Sequence, residues 1–200
     1  MKQHAVLGFG LLALMLNPPA VKGLEASMVG YMLVQIPGLV AGGYYVGSWL
    51  LDRFAPAPVR PRWDPAGIVC LLVAIFTIAY WLLPRNVDAA LGDIATSICK
   101  WLTLPLLAGI PLALGWRLLH PVAKGFVWAN LVSMLGVMSW LYTSAPARLC
   151  NNYLEQQQDQ LGQGMLLVGI AVAGSRVYAA FAGKPQANDR PDASDTREAL

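Results

Sequence analysis

Apolar and polar positions alternate along this chain in long blocks rather than residue by residue. Five windows contain no Asp, Glu, Lys or Arg: residues 3–21, 26–51, 65–84, 101–116 and 125–147. A sixth, 160–183, is interrupted only by Arg176. A spanning helix needs about 20 mostly apolar residues, because the hydrocarbon core of a bilayer is about 30 Å thick. The pattern therefore predicts an all-α protein, a polytopic membrane helical bundle of about six transmembrane helices over residues 1–183. Residues 184–200 carry charges of both signs, two prolines and few apolar side chains, and read as a disordered cytoplasmic tail.

The windows differ in quality. The first has an apolar stretch of only Ala5 to Leu16 behind Lys2, the size of a signal-peptide core. Asn17-Pro18-Pro19-Ala20 makes a poor cleavage site, so the helix is read as retained. The fourth is short, with Lys100 and Arg117 at its ends, and both are expected to snorkel to the membrane surface. Arg176 is expected to do the same toward Lys184.

Orientation follows from the basic residues. With the N-terminus inside, nine lie on the cytoplasmic side: Lys2, Arg53, Arg60, Arg62, Arg117, Lys124, Lys184, Arg190 and Arg197. Four lie outside: Lys22, Arg85, Lys100 and Arg148. Both termini are thus expected in the cytoplasm, and the protein in a bacterial cytoplasmic (inner) membrane.

Composition agrees and removes other classes. Of the 200 residues, 56% are hydrophobic and 12% charged, against about 25% charged in soluble domains. Three cysteines are too few for a disulfide scaffold. There is no H-E-x-x-H, no Cys-x-x-Cys and no phosphate-binding glycine loop, and nothing points to nucleic acid. A bis-histidine haem is not expected, since His4 and His120 both sit at the cytoplasmic limits of their windows.

The connections hold some signal. The loop 52–64 has Pro56, Pro58 and Pro61 among three arginines and reads as an extended topology signal with affinity for lipid headgroups. Val87, Leu91, Ile94 and Ile98 have helical spacing and suit a segment lying on the outer surface. The stretch 148–163, rich in Gln and Asn, reads as a polar outer loop for solvation or for a partner.

Within the windows, Gly38-x-x-x-Gly42 and Gly43-x-x-x-Gly47 signal close helix packing, inside one chain or between copies. Gln35 and Asn130 are expected to bridge helices. Pro105 and Pro111, with Gly109 and Gly115, should kink the fourth span, either to shape packing or, in a small transporter, to form a binding site. Met28 and Met32 share one helix face, as do Met134 and Met138, and Cys99 and Cys150 lie on the outer side. Thioethers and thiolates select Cu(I), so these six are the candidate metal ligands, copper being the only cofactor suggested. Methionine as core filler is the competing reading.

Two stretches, Leu12-Ala-Leu-Met-Leu-Asn-Pro-Pro-Ala20 and Leu24-Glu-Ala-Ser-Met-Val-Gly-Tyr-Met-Leu33, resemble the start of CtaG-type cytochrome c oxidase assembly proteins. Trp81-Leu-Leu-Pro84 followed by Asp88-Ala-Ala-Leu91 is similar to that family's Trp-His-x-Pro with a downstream Ala-Leu. The resemblance runs over roughly the first 115 residues. It implies a role in building the copper sites of a haem–copper oxidase. The chain departs from the family where histidines are expected: Ser27, Tyr31, Leu82, Ser97 and Trp101 stand there instead. The expected function is that of a membrane accessory or assembly protein of a respiratory complex, binding oxidase-type subunits and lipid, without catalysis. Copper(I) handling and small-molecule transport are the alternatives, and homo-oligomerisation is compatible with each.

Overall fold

The computed structural model describes residues 2–54, 64–144 and 153–182. Among the described residues there is helix, turn and bend but no strand. The helices are α1 (Lys2–Leu16), α2 (Pro18–Glu25), α3 (Ile36–Phe54), α4 (Ile68–Leu82), α5 (Pro84–Gly92), α6 (Ile94–Thr103), α7 (Ile110–Leu118), α8 (Pro121–Ser144) and α9 (Glu155–Ala182). Two wide π turns, Gly30–Gln35 and Leu104–Gly109, lead into α3 and join α6 to α7. The predicted tail and most of the proline-rich loop lie outside the described residues.

Among the described residues, three helices are long and apolar enough to cross a membrane: Ile94–Leu118, Pro121–Ser144 and Gln156–Ala182. The number reaches five if two bent pairs, Gln3–Leu16 with Pro18–Glu25 and Ile68–Leu82 with Pro84–Gly92, each count as one span. The bends, 66° and 68°, have one cause. Asn17 and Leu83 each precede a proline, which disfavours the helical region for them; their ψ angles are 127° and 130°. The proline then starts the next helix, where a missing N–H costs nothing.

Helix α3 is the central element. One side receives α1, the other receives the second π turn and α7, and α4 packs beyond α7. The expected glycine pattern makes both seams. Met15 fills the notch of Gly38 and Leu12 that of Gly42, while Val46 of α3 sits over Gly8 of α1. On the opposite seam the backbones nearly touch: a Cβ on Gly109 would lie 2.5 Å from the Gly43 Cα, and one on Gly47 would lie 3.0 Å from the Ile110 Cα. The π turn forms where Pro105 and Pro111 remove two donors from the helical ladder, and it lays Gly109 against Gly43. The predicted kink is thus filled by packing.

Helices α8 and α9 form a hairpin. Only 6% of the α8 window is buried, against 33% of Ile94–Leu118, and Phe126, Val137 and Trp140 face outward. Asn130, expected to bridge helices, is exposed on α8. The expected polar outer loop is corrected from Glu155 onward, where Gln156 to Gln163 form the first turns of α9. Two of its glutamines serve inside the chain, while Gln156, Gln160 and Gln163 are exposed. Gln158 donates to the Tyr142 carbonyl at 3.2 Å and Gln157 to the Ala26 carbonyl at 3.5 Å. The segment expected to lie flat outside is also corrected. Asp93 caps α6, accepting from Ala95 and Thr96, and breaks the helix. Val87 is consequently buried while Ile94 and Ile98 are exposed.

Asp64 is buried beside the start of α4, and its carboxylate accepts the Cys70 N–H at 2.9 Å. Burial pushes its carboxyl up. The N–H groups of Cys70, Val69 and Ile68, with the Cys70 thiol, outweigh this and hold it below the usual aspartate range. Stability from this cap is fully present above the unfolded aspartate value, about pH 4, and is lost as pH falls through the lowered folded value. Asp64→Ala is expected to cost about 0.5–2 kcal/mol at neutral pH and to flatten the acid limb of a melting-temperature profile in detergent. Gly109→Leu is expected to cost about 1–3 kcal/mol or more through overpacking. Gly10→Ala, in open space, should leave the melting temperature unchanged or slightly raised.

Candidate functional site

Helix α6 carries Lys100 one turn before the Leu104–Gly109 π turn. It was expected to snorkel; instead its side chain is 0% exposed. Its Nζ lies 2.9 Å from Glu25 Oε1 and donates to Gln35 Oε1 at 3.2 Å. Gln35 Nε2 donates in turn to Glu25 Oε1 at 3.2 Å. The ammonium also sits 4.3 Å from the centre of the Tyr31 ring, with Trp101 at 5.9 Å. The end of α2, the first π turn and α6 therefore meet on one buried cation.

The arrangement follows from apolar surroundings. Taking two charges out of water costs on the order of several kcal/mol per ion, and only close pairing with further hydrogen bonds offsets this. An aromatic face adds attraction for the ammonium. The surroundings fix the partners in place. Tyr153 OH donates to the Glu25 carbonyl at 2.9 Å, and the Ser27 hydroxyl accepts the Gly30 N–H at 3.4 Å. Ser97 is buried and donates to the Ala90 carbonyl. Trp81 Nε1 donates to Thr103 Oγ1 at 2.8 Å, tying α4 to α6.

A cleft of about 250 Å³ opens beside the pair, lined by Val21, Glu25, Leu91, Asp93, Ser97 and Trp101 among others. Glu25, 19% exposed, is its contact with the buried network. Asp93 at the rim is held below the usual carboxylate range by the Thr96 hydroxyl and by the Thr96 and Ala95 N–H groups, so it is anionic at neutral pH.

Three of the positions where the family resemblance expects histidine converge here. Tyr31 lies against the ammonium, and Ser97 and Trp101 form the cleft wall. Leu82 is part of the neighbouring apolar packing.

The candidate thioether and thiol ligands are spread more widely. Met28 and Met32 are buried in a core shared with Met15 and Met165, and the Tyr142 hydroxyl approaches Met32 Sδ at 3.8 Å. Met138 packs on the edge of that core, whereas Met134 is 52% exposed on the outer face of α8. Cys99 is exposed, and Cys150 lies outside the described residues. Among the described residues no three His, Cys, Asp or Glu side chains come together as a metal site. His4 stacks on Tyr45, and His120 Nδ1 accepts the Val122 N–H.

The Glu25–Lys100 pair was missed in the sequence because each charge ends a different apolar window. The available signal was their opposite sign at the same predicted depth, with Gln35 inside the next window.

Glu25→Gln leaves Lys100 buried without its counter-charge and is expected to destabilise by about 3–5 kcal/mol. Glu25→Gln combined with Lys100→Met should recover most of that loss, measured as thermal unfolding in detergent across the double-mutant cycle. Purely additive effects would show that the pair is not coupled. No protein-family model, characterised protein or solved structure matches the chain significantly, and the resemblance to oxidase assembly proteins rests on its short motifs.

Proposed function

We propose that this is a six-span protein of the bacterial cytoplasmic membrane, with both termini in the cytoplasm, that assists assembly of an oxidase-type respiratory complex. It acts by binding membrane subunits and catalyses nothing itself. The six spans are α1, α3, α4, the unit from α6 to α7, α8 and α9.

One observation carries the reading. Tyr31, Ser97 and Trp101 stand where the resemblance would place metal-ligating histidines; the Tyr31 and Trp101 rings, 70 residues apart, face one buried point and Ser97 lines the adjoining cleft. That point holds the Lys100 ammonium paired with Glu25. A side-chain amine paired with a carboxylate stands where a metal-binding relative would need a bound ion, an arrangement that suits a scaffold without copper. Copper handling keeps one supporting feature, the four core methionines Met15, Met28, Met32 and Met165.

The tagged full-length protein, gently solubilised from its native membrane, is expected to bring down haem-containing oxidase subunits, read by Soret absorbance. Deleting the gene should lower assembled oxidase in membrane difference spectra. A partner-free monomer together with unchanged oxidase levels would overturn the proposal. Anaerobic Cu(I) loading is expected to leave no stoichiometric copper. Bound copper that disappears in Met28→Leu/Met32→Leu would transfer the assignment to copper handling.

A further inference from the structure

At the end of the bundle where α7 turns into α8 and α9 finishes, four side chains form a ladder. Trp116 and Trp128 meet edge to face, with centroids 5.8 Å apart and planes at 85°. Lys124 Nζ lies 5.7 Å from the Trp116 ring, and Arg176 Cζ lies 4.3 Å from the Trp128 ring. Two cations from two helices are thus held against one aromatic pair. Arg176, expected to reach away along its own helix, is instead turned onto α8.

Among the described residues, the acids at this end are committed elsewhere. Asp52 pairs with Arg117 at 2.5 Å, and Arg117 also donates to the Ser48 carbonyl at 3.0 Å. Asp64 is taken up by the start of α4, which packs on α7 through Gly67 and Gly115. Among the described residues the ion pairs are Lys100–Glu25 and Arg117–Asp52, so Lys124 and Arg176 keep two positive charges with no carboxylate. Cation–ring contacts orient these groups without neutralising them. Lys124 lies one turn from the start of α8 and Arg176 nearly two turns from the end of α9, close enough to the helix ends for long basic side chains to reach lipid headgroups. Indoles favour the same depth. Exposed apolar side chains continue from the ladder toward the middle of the helices, Leu131 on α8 and Ile170 on α9.

We propose that Lys124, Arg176, Trp116 and Trp128 form a binding site for the headgroup of an anionic phospholipid. The guanidinium supplies paired donors to the phosphate and the ammonium a second point charge. The indoles bound the headgroup, and the acyl chains follow the exposed faces of α8 and α9. A zwitterionic lipid brings its own cation and is disfavoured between two positive groups.

The full-length protein, delipidated in neutral detergent, is titrated with phosphatidylglycerol, phosphatidylcholine and inorganic phosphate, with lipid adducts counted by native mass spectrometry. Phosphatidylglycerol is expected to bind about thirtyfold tighter than phosphatidylcholine, with about fivefold lost for each cation removed. Lys124→Gln/Arg176→Gln should abolish the preference and Arg176→Lys should largely keep it. Arg85→Gln, past the far end of α4, should leave it intact. Each variant is first checked for an unchanged melting temperature. If the double variant is misfolded, the single variants, each expected to lose about fivefold, decide the matter. Equal binding of the two lipids, or a preference that survives removal of both cations, would overturn the site. Inorganic phosphate competing as well as the lipid would overturn the lipid assignment.

Discussion

The arrangement of this bundle turns on one constraint: a lysine ammonium lies where water cannot reach it. Lys100 is reconciled with its surroundings by Glu25, Gln35 and the Tyr31 ring, and these partners come from two differently oriented stretches of chain, the end of α2 and the first π turn. Glu25 needs α2 to leave the axis of α1, which the Asn17–Pro18 break provides. Gln35 ends the first π turn, whose wider pitch carries a polar side chain round to the buried face. Tyr153, from the approach to α9, then locks the Glu25 backbone. Two charges and one amide thus couple the N-terminal third, the middle and the C-terminal hairpin.

A second constraint follows from the surrounding lipid. Helices in a bilayer gain little by hiding apolar surface from one another, so contact must come from close approach. Helix α3 meets this with glycines on two faces, Gly38 and Gly42 toward α1 and Gly43 and Gly47 toward the second π turn and α7. The peripheral α8 takes a smaller seam of this kind from α9, where a Cβ on Gly162 would lie 3.1 Å from the Ser139 carbonyl oxygen, while its own glycines Gly125 and Gly136 face open space. The molecule therefore has an interior closely packed around α3 and an outer hairpin joined to it by buried apolar side chains, Leu161 and Met165 among them, and by polar contacts such as that of Gln157 with the Ala26 carbonyl.

Much of this was legible in the sequence. Apolar blocks mark the long helices because bilayer thickness sets their length. The glycine spacing announces tight packing, whereas the bends at Pro18 and Pro84 went unread, the window 3–21 running straight through the first. Charge at the end of an apolar block was misleading, because a lysine there can rise to the surface or turn inward. That choice depends on Glu25, 75 residues away, which no local pattern encodes. Polarity misled in the same manner at Gln156 to Gln163, which reads as a loop when its partners, two carbonyls on other segments, are invisible. Asn130 shows the converse: a polar residue within an apolar block that faces outward.

The separation between Glu25 and Lys100 also bears on biosynthesis. A chain threaded into a membrane from its N-terminus delivers Glu25 and Gln35 well before Lys100 emerges. The lysine then enters a bilayer in which its acceptors already wait, and the cost of carrying a lone cation into hydrocarbon is shortened to the moment of docking. Glu25, near the mouth of its cleft, can meanwhile remain hydrated. The order of residues along the chain is thus also an order of events, with the more tolerant charge arriving first.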